Sequence, residues 1–345
     1  MQLIQTLADI PVHNYSVLAI DIFGVLHDGI QPYYYAKETL EGLSRDDIKT
    51  ILLSNSTRLG NVLSVDLQRK FDIRPDSYES ILSSGQITKL FLTDCAQYLK
   101  SAQSNQPESC IATIVKGNNP GERLGPVEFV QKYLKTGEFY LIGLPSWQEP
   151  IYGPLFPTIK PTDDWDAMEF VLLGKVSPLQ EHQDLNYFDE KSIREHYGPF
   201  LEKCLSRSLP ILCANPDIWA PNGFHEDGSH RLICCPGYIA EMYKEMGGEV
   251  LFFGKPYESI YRFLLENVAK EKSSEPGRVL CIGDNVATDV LGAKEAGLDV
   301  VMILGGIHAQ EISEIKGDAL INKVKELCKE NGSQEPTYIM PLLKY

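Results

Sequence analysis

Short apolar runs that each stop at a polar group are the feature that most restricts this chain. Val17-Leu18-Ala19-Ile20 stops at Asp21, and Thr50-Ile51-Leu52-Leu53 stops at Ser54-Asn55-Ser56-Thr57. Pro210–Ala214 stops at Asn215-Pro216-Asp217, Glu249–Phe253 at Gly254-Lys255-Pro256, and Arg278–Ile282 at Gly283-Asp284-Asn285. Apolar runs of this length, bounded by turn residues, read as buried parallel strands. Between and after them lie segments with helical spacing: Tyr34–Leu43, Tyr238–Met246, Pro256 to about Lys270, Val286–Ala296 and Ile315–Cys328. Strands alternating with helices predict an α/β fold with a parallel sheet between helical layers. In such a sheet, ligands bind beyond the carboxyl ends of the strands, where these polar groups stand.

The middle of the chain breaks this grammar. From about Pro75 to Arg207 the pattern is less regular, with a loop expected over 101–108 and little regular structure over Pro145–Trp165. Strands are expected at Ile111–Val115, Phe139–Ile142 and Phe170–Leu173, and a helix at Asp189–Leu205. We read this region as a second α/β unit inserted into the first, giving a core of residues 1–85 plus 208–345 and an insert of 86–207.

Charge and cysteine content narrow the function classes. The 345 residues carry 47 acidic and 32 basic side chains, a formal net charge of -15, which argues against broad binding of nucleic acid or an anionic membrane. A local basic pocket remains open. No run approaches the roughly 20 apolar residues of a membrane span. Met1–Ser16 does not read as a signal peptide. Eight scattered cysteines without a C-x-x-C pair favour a reduced, cytoplasmic setting over a disulfide framework or zinc. The sequence leaves the oligomeric state open, and a homo-oligomer is compatible with it.

The polar groups at the strand ends have a shared chemistry. A carboxylate such as Asp21 can attack phosphorus as a covalent nucleophile. Carboxylates and phosphate repel, so a cation is required. Asp21 and Asp284 are candidate ligands for Mg²⁺, a hard ion that prefers oxygen. Lys255 can offset charge on Asp21 and on a phosphoryl group, and the Ser54 hydroxyl can hydrogen-bond its oxygens. Asp289 can orient a metal-bound water or cap the helix it begins. Each cluster alone also fits ordinary turn chemistry. Competing motifs are absent: no G-x-G-x-x-G follows a strand, Pro256 stands where a phosphate loop needs Ser or Thr, and neither G-x-S-x-G nor H-E-x-x-H occurs.

With these residues in order, the chain resembles the haloacid dehalogenase superfamily. The four stretches that carry the resemblance are Asp21-Ile22-Phe23-Gly24-Val25-Leu26-His27-Asp28-Gly29, Leu53-Ser54-Asn55-Ser56-Thr57-Arg58, Gly254-Lys255-Pro256 and Ile282-Gly283-Asp284-Asn285-Val286-Ala287-Thr288-Asp289. It is similar in particular to the class with a large cap between the second and third motifs, which includes p-nitrophenyl, phosphoglycolate and pyridoxal phosphate phosphatases. Ser83–Thr88, Cys213–Asp217 and Gly247–Val250 match a subgroup with an altered first motif. The resemblance covers residues 12–85 and 208–310 and implies a three-layer Rossmann-like core with an inserted α/β cap. It implies Mg²⁺-dependent hydrolysis of a small phosphorylated metabolite through a phosphoaspartate. Asp21 would be the nucleophile, with Ser54, Asn55 and Lys255 on the phosphoryl group. Asp21, Asp284 and the Phe23 backbone carbonyl would hold the metal, with Asp289 supporting them. Asn215 and Asp217 would line the substrate side.

The first motif departs from the family pattern. The usual second Asp, which protonates the leaving group, is here Phe23, which carries no titratable proton. His27 and Asp28 are the nearest substitutes in sequence. Two other functions follow from the same departure. One is a phosphoryl-ligand or protein-binding module, using aromatics such as Trp147, Tyr152, Phe156 and Trp165. The other is a carbon–halogen or phosphonate hydrolase, the latter needing a cap lysine from among Lys116, Lys135, Lys160 and Lys175.

Overall fold

The computed structural model describes residues 1–101, 112–116, 122–180, 183–268 and 278–345. Along the chain come β1 (Gln2–Leu3), β2 (Val17–Ile20), β3 (Thr50–Ser54) and β4 (Ser80–Ser83). Then follow β5 (Ala112–Lys116), β6 (Glu122–Leu124), β7 (Glu138–Ile142), β8 (Lys160–Pro161), β9 (Phe170–Leu173), β10 (Ile211–Cys213), β11 (Trp219–Phe224), β12 (His230–Cys234) and β13 (Glu249–Phe252). The chain closes with β14 (Val279–Gly283), β15 (Asp299–Ile303) and β16 (Tyr338–Met340).

The first sheet has seven strands in the order β1-β16-β15-β14-β2-β3-β4, and every neighbouring pair is parallel. Its central strands are buried along their length, as their unbroken apolar runs require. Alternate residues of β2 face opposite layers. Val17 and Ala19 pack with Ile87, Phe91, Val286 and Val290, whereas Leu18 and Ile20 pack with Leu40, Leu43 and Leu67. This is the predicted three-layer α/β core.

The second sheet also has seven strands, in the order β6-β5-β13-β10-β9-β7-β8. Here β5 runs antiparallel to both β13 and β6, and the other pairs are parallel. One face carries helices Glu190–Ser206 and Pro236–Glu245. The other shares an apolar cluster with the first sheet through Phe91, Phe129, Phe139, Phe170 and Phe253.

Three of the differences between the sequence expectations and the structure concern the second sheet and its surroundings. Strands β10 and β13 lie within 208–345, the segment expected to belong to the first sheet, yet both pair in the second. The return to the first sheet therefore comes after Phe252 rather than at residue 208. A short buried parallel strand looks the same whichever sheet receives it, so its local sequence does not name its partner. Within Pro145–Trp165, a helix forms over Pro145–Tyr152, started by proline at its first position. The antiparallel pair β11–β12 was not expected. The expected loop at 101–108 lies outside the described residues beyond Ser101, as do Ile111 of one expected strand and the last two residues of the helix expected to reach Lys270.

Candidate active site

Adjacent strands bring the polar ends together. β14, β2 and β3 are neighbours, so Asp284, Asp21 and Ser54 emerge side by side at one edge of the first sheet. Lys255 arrives from β13 of the second sheet. Its side chain is 2% exposed, and Nζ lies 2.7 Å from Asp21 Oδ1, 2.7 Å from Asp289 Oδ1 and 3.1 Å from the Leu53 carbonyl. One carboxylate oxygen from each of Asp21, Asp284 and Asp289 falls within 4.8 Å of the others. Asp284 Oδ2 also accepts the Ile307 N–H at 2.6 Å. The tightness of the cluster depends on Gly24, at φ +78°, where an added Cβ would stand 1.9 Å from Asp284 Oδ2.

Three buried carboxylates against one ammonium leave excess negative charge. Burial raises the Asp21 pKa well above the usual carboxylate value, Asp289 and Asp284 add to the rise, and Lys255 opposes it. Asp284 is raised by burial and then by Asp289. Burial works against the Lys255 charge, but Asp21 and Asp289 outweigh it and hold the ammonium above the ordinary lysine range. A hard divalent cation fits this set: oxygen donors converge, and its charge would relieve the repulsion that raises both aspartates.

Asn55 spends its side chain on the protein. Its Oδ1 accepts the Lys255 N–H at 2.7 Å, and its Nδ2 donates to the Lys255 carbonyl at 2.9 Å and to Asp217 Oδ1 at 2.8 Å. It clamps the lysine segment to the end of β3. Asn215 Oδ1 accepts the Asp217 N–H at 2.9 Å, a turn that presents Asp217. Ser54 Oγ accepts the Ser56 N–H at 3.1 Å.

A cavity of about 310 Å³ opens over this cluster. Asp21, Phe23, Ser54, Asn55, Asn215 and Asp217 all line it, together with Arg58, Trp147, Lys175, Tyr187, Cys234 and Cys235 from both sheets' connections. A larger cavity, about 740 Å³, lies between Arg123, Glu258 and Glu295 and is lined by none of Asp21, Ser54, Lys255, Asp284 and Asp289.

The nearest sequence substitutes for the missing carboxyl do not line the cavity over Asp21. His27 is 3% exposed, stacks on Phe71 at 4.0 Å and meets the Phe23 ring edge-on at 4.3 Å. Its Nδ1 accepts the Gly29 N–H, and burial, Arg58 and Lys70 push its pKa down to about 3. Asp28 Oδ1 accepts the Ile30 and Gln31 N–H groups and anchors a turn. Asp217 differs: it lines the cavity, and burial pushes its pKa up to about 6 against the pull of Lys255 and Asn55. Of the lysines named for phosphonate chemistry, Lys175 lines the cavity and Lys160 pairs with Glu138 at 3.1 Å, while the Lys116 side chain lies outside the description.

Sequence reasoning named Arg58 only as the last residue of the second motif and Trp147 only among the aromatics of a binding module, and gave neither a place beside the strand-end cluster. Arg58 lies four residues beyond Ser54, on the same loop, which is a usable signal. Trp147 carries none, because its helix reaches the site only through tertiary packing.

Family models match two parts of the chain. Residues 18–109 match a haloacid dehalogenase-like hydrolase model, and residues 252–327 match a second hydrolase-like model of that superfamily. No curated protein matches the chain. Among solved structures, a haloacid dehalogenase-like family hydrolase from Brucella suis is 23% identical, with TM-score 0.66, covering 99% of this chain and 100% of the other. A possible sugar phosphatase of the same superfamily from Cytophaga hutchinsonii is 20% identical, with TM-score 0.60 and coverage of 99% and 98%. A glycerol phosphate phosphatase from Mycobacterium tuberculosis, in complex with magnesium, is 15% identical, with TM-score 0.52 and coverage of 95% and 75%.

Proposed function

The chain belongs to the haloacid dehalogenase-like hydrolases, and from that premise we propose that it is a Mg²⁺-dependent phosphohydrolase of small phosphomonoesters. The observation that carries this reading is Asp21, buried at the sheet edge between the Lys255 ammonium and the carboxylates of Asp284 and Asp289. The sugar phosphatase and glycerol phosphate phosphatase among its structural neighbours support the substrate class. When bound, Mg²⁺ supplies positive charge between carboxylates and phosphate, and the residues that would hold it are Asp21, Asp284 and the Phe23 carbonyl, with Asp289 alongside.

The chain's own groups then divide the work. Asp21 attacks phosphorus in line and forms a phosphoaspartate as the P–O bond to the leaving group breaks. Lys255 favours the ionised form of Asp21 and offsets negative charge beside it, while Ser54 faces the phosphoryl oxygens from the cavity wall. Asn55 is a positioning residue, because its amide holds both Lys255 and Asp217. Asp217 gives its proton to the departing oxygen in place of the carboxyl that Phe23 lacks. Its carboxylate then takes a proton from the water that attacks the phosphoaspartate, which releases phosphate and restores Asp21.

On this reading the second sheet is the cap, entered after helix Ser84–Ser101 and left after β13. The seven cysteines among the described residues are all free and buried, which accords with a reduced, cytoplasmic setting. Among the described residues no helix is long and apolar enough to cross a membrane. The test is phosphate release across a panel of phosphomonoesters with Mg²⁺, with chelator, and with Asp21→Asn. Release that needs both the metal and Asp21 supports the proposal. Release that survives Asp21→Asn, or no release from any ester, contradicts it.

A further inference from the structure

Two cations meet on one indole ring in the active-site cavity. Arg58 Cζ lies 4.6 Å and Lys175 Nζ 4.1 Å from the centre of the Trp147 ring. Arg58 comes from the loop after β3, Lys175 from the segment just after β9, and Trp147 from the helix of the inserted unit. The arrangement is built rather than incidental. Gln148, fully buried beside Trp147, donates from Nε2 to the hydroxyl of Thr57, the neighbour of Arg58, at 2.9 Å. Its Oε1 accepts the Leu144 N–H at 2.8 Å, so the pin is fixed at both ends.

The charges on this ring are incompletely balanced. Arg58 pairs with Asp66, yet its Nε is buried without a hydrogen-bond partner. Lys175 is half-buried, and among the described residues no carboxylate pairs with it. Burial and the Arg58 charge both disfavour its ammonium. Two like charges close together in a partly dry cavity repel unless an anion joins them. In a chain with a net charge of -15, such a pair is a local exception. Lys255, Asp21 and Asp289 form a separate cluster whose ammonium is already committed, so Arg58 and Lys175 are not needed to balance it.

From this geometry we infer that Arg58, Lys175 and Trp147 form a subsite for a second anionic group on the substrate, remote from its phosphoryl group. The inference rests on the phosphohydrolase reading of the same cavity. The substrate class is then a doubly anionic phosphomonoester, bearing a carboxylate or a second phosphate. The Lys175 ammonium and the Arg58 guanidinium each rest on the indole and would turn their remaining N–H groups to the anion.

The experiment is calorimetric titration with Mg²⁺ and unreactive phosphonates in matched sets. Propylphosphonate is compared with 4-phosphonobutyrate and the three-carbon bisphosphonate, and phenylphosphonate with 4-phosphonobenzoate. The second anion is expected to tighten binding about tenfold or more at low salt, with the advantage shrinking as salt rises. The carboxylate and bisphosphonate arms identify which second anion is preferred. Lys175→Met should remove the advantage and Lys175→Arg should keep it. Equal affinities within each set would overturn the subsite while leaving the phosphoryl site standing. Equal weakening of all probes by Lys175→Met would also overturn it, since the cation would then serve the phosphoryl group. Failure of every probe to bind would count against the phosphoryl site and against the subsite that depends on it.

Discussion

At position 23 an aromatic ring stands where the family resemblance implies a proton donor, and in the proposed mechanism the proton comes from elsewhere in the cavity. Asp217 has the placement and the proton affinity, with a pKa near 6 set by burial. Positioned acid catalysis is worth about 10²- to 10⁴-fold, and most when the leaving oxygen is strongly basic. Asp217→Asn is therefore expected to lower kcat on an alkyl phosphate by about 100-fold or more, and on p-nitrophenyl phosphate by less than about tenfold. Equal losses on both would remove the acid role. The proton-bearing form declines above about pH 6, so alkyl-ester turnover should fall with rising pH on that limb. His27 titrates in the other sense. Its folded pKa, near 3, is below the unfolded value of 6.5, so the unfolded chain binds more protons between them. Its contribution to stability is complete above about 6.5 and is lost as pH falls toward 3. Urea midpoints across that range should drop, and His27→Phe, which keeps a ring on Phe71, should flatten the slope. At this scale Asp21, Ser54, Lys255 and Asp284 were legible because each stands at the end of an apolar run or one glycine beyond it. Asp217 was legible as a pocket residue, but its proton affinity was not, because that depends on burial beside Lys255 and Asn55.

The strands and their connections set the site's spacing. The loop after β3 is tied down by Ser84, whose Oγ lies 2.7 Å from the Asn55 carbonyl and 2.6 Å from that of Ala214. One hydroxyl thus links the first-sheet loop, the helix after β4 and the segment leaving β10. Gly24 does comparable work in the loop after β2. Gly24→Ala is expected to destabilise the fold by about 1–3 kcal/mol in urea unfolding, from its left-handed backbone and the clash with Asp284 together. A wild-type midpoint would contradict the close approach. Local pattern was enough to place β2, β3, β14 and the helix Glu190–Ser206, whose cap Asp189 accepts the Lys191 and Ser192 N–H groups. It was not enough to assign β10 and β13 to a sheet, or to find β11 and β12, since pairing partners are chosen by tertiary packing.

Across the whole molecule, the site is made where two sheets meet. The second sheet delivers Lys255, and the first supplies the carboxylates it neutralises. Without a metal, the raised pKa values of Asp21 and Asp284 mean that the folded chain binds more protons than the unfolded one above about pH 4. Their share of stability is present below that pH and is lost as pH rises through the folded values. Mg²⁺ should reverse this loss. At about a hundred times its Kd it stabilises by about 2.7 kcal/mol, so Tm should rise clearly near pH 7 and less near pH 5, where protons compete. Asp284→Asn should abolish the shift, and an equal shift in that variant would place the metal elsewhere. The superfamily and α/β fold were legible from four strand ends; the substrate was not, because the residues that line the cavity are assembled from distant segments. The measurement closest to the central claim is chemical trapping of the intermediate. During turnover with Mg²⁺, an acid quench followed by borotritide reduction converts a phosphorylated aspartate to tritiated homoserine. Label at position 21, absent with chelator, is the expected result. Phosphate release with no label at position 21 would contradict covalent catalysis by Asp21.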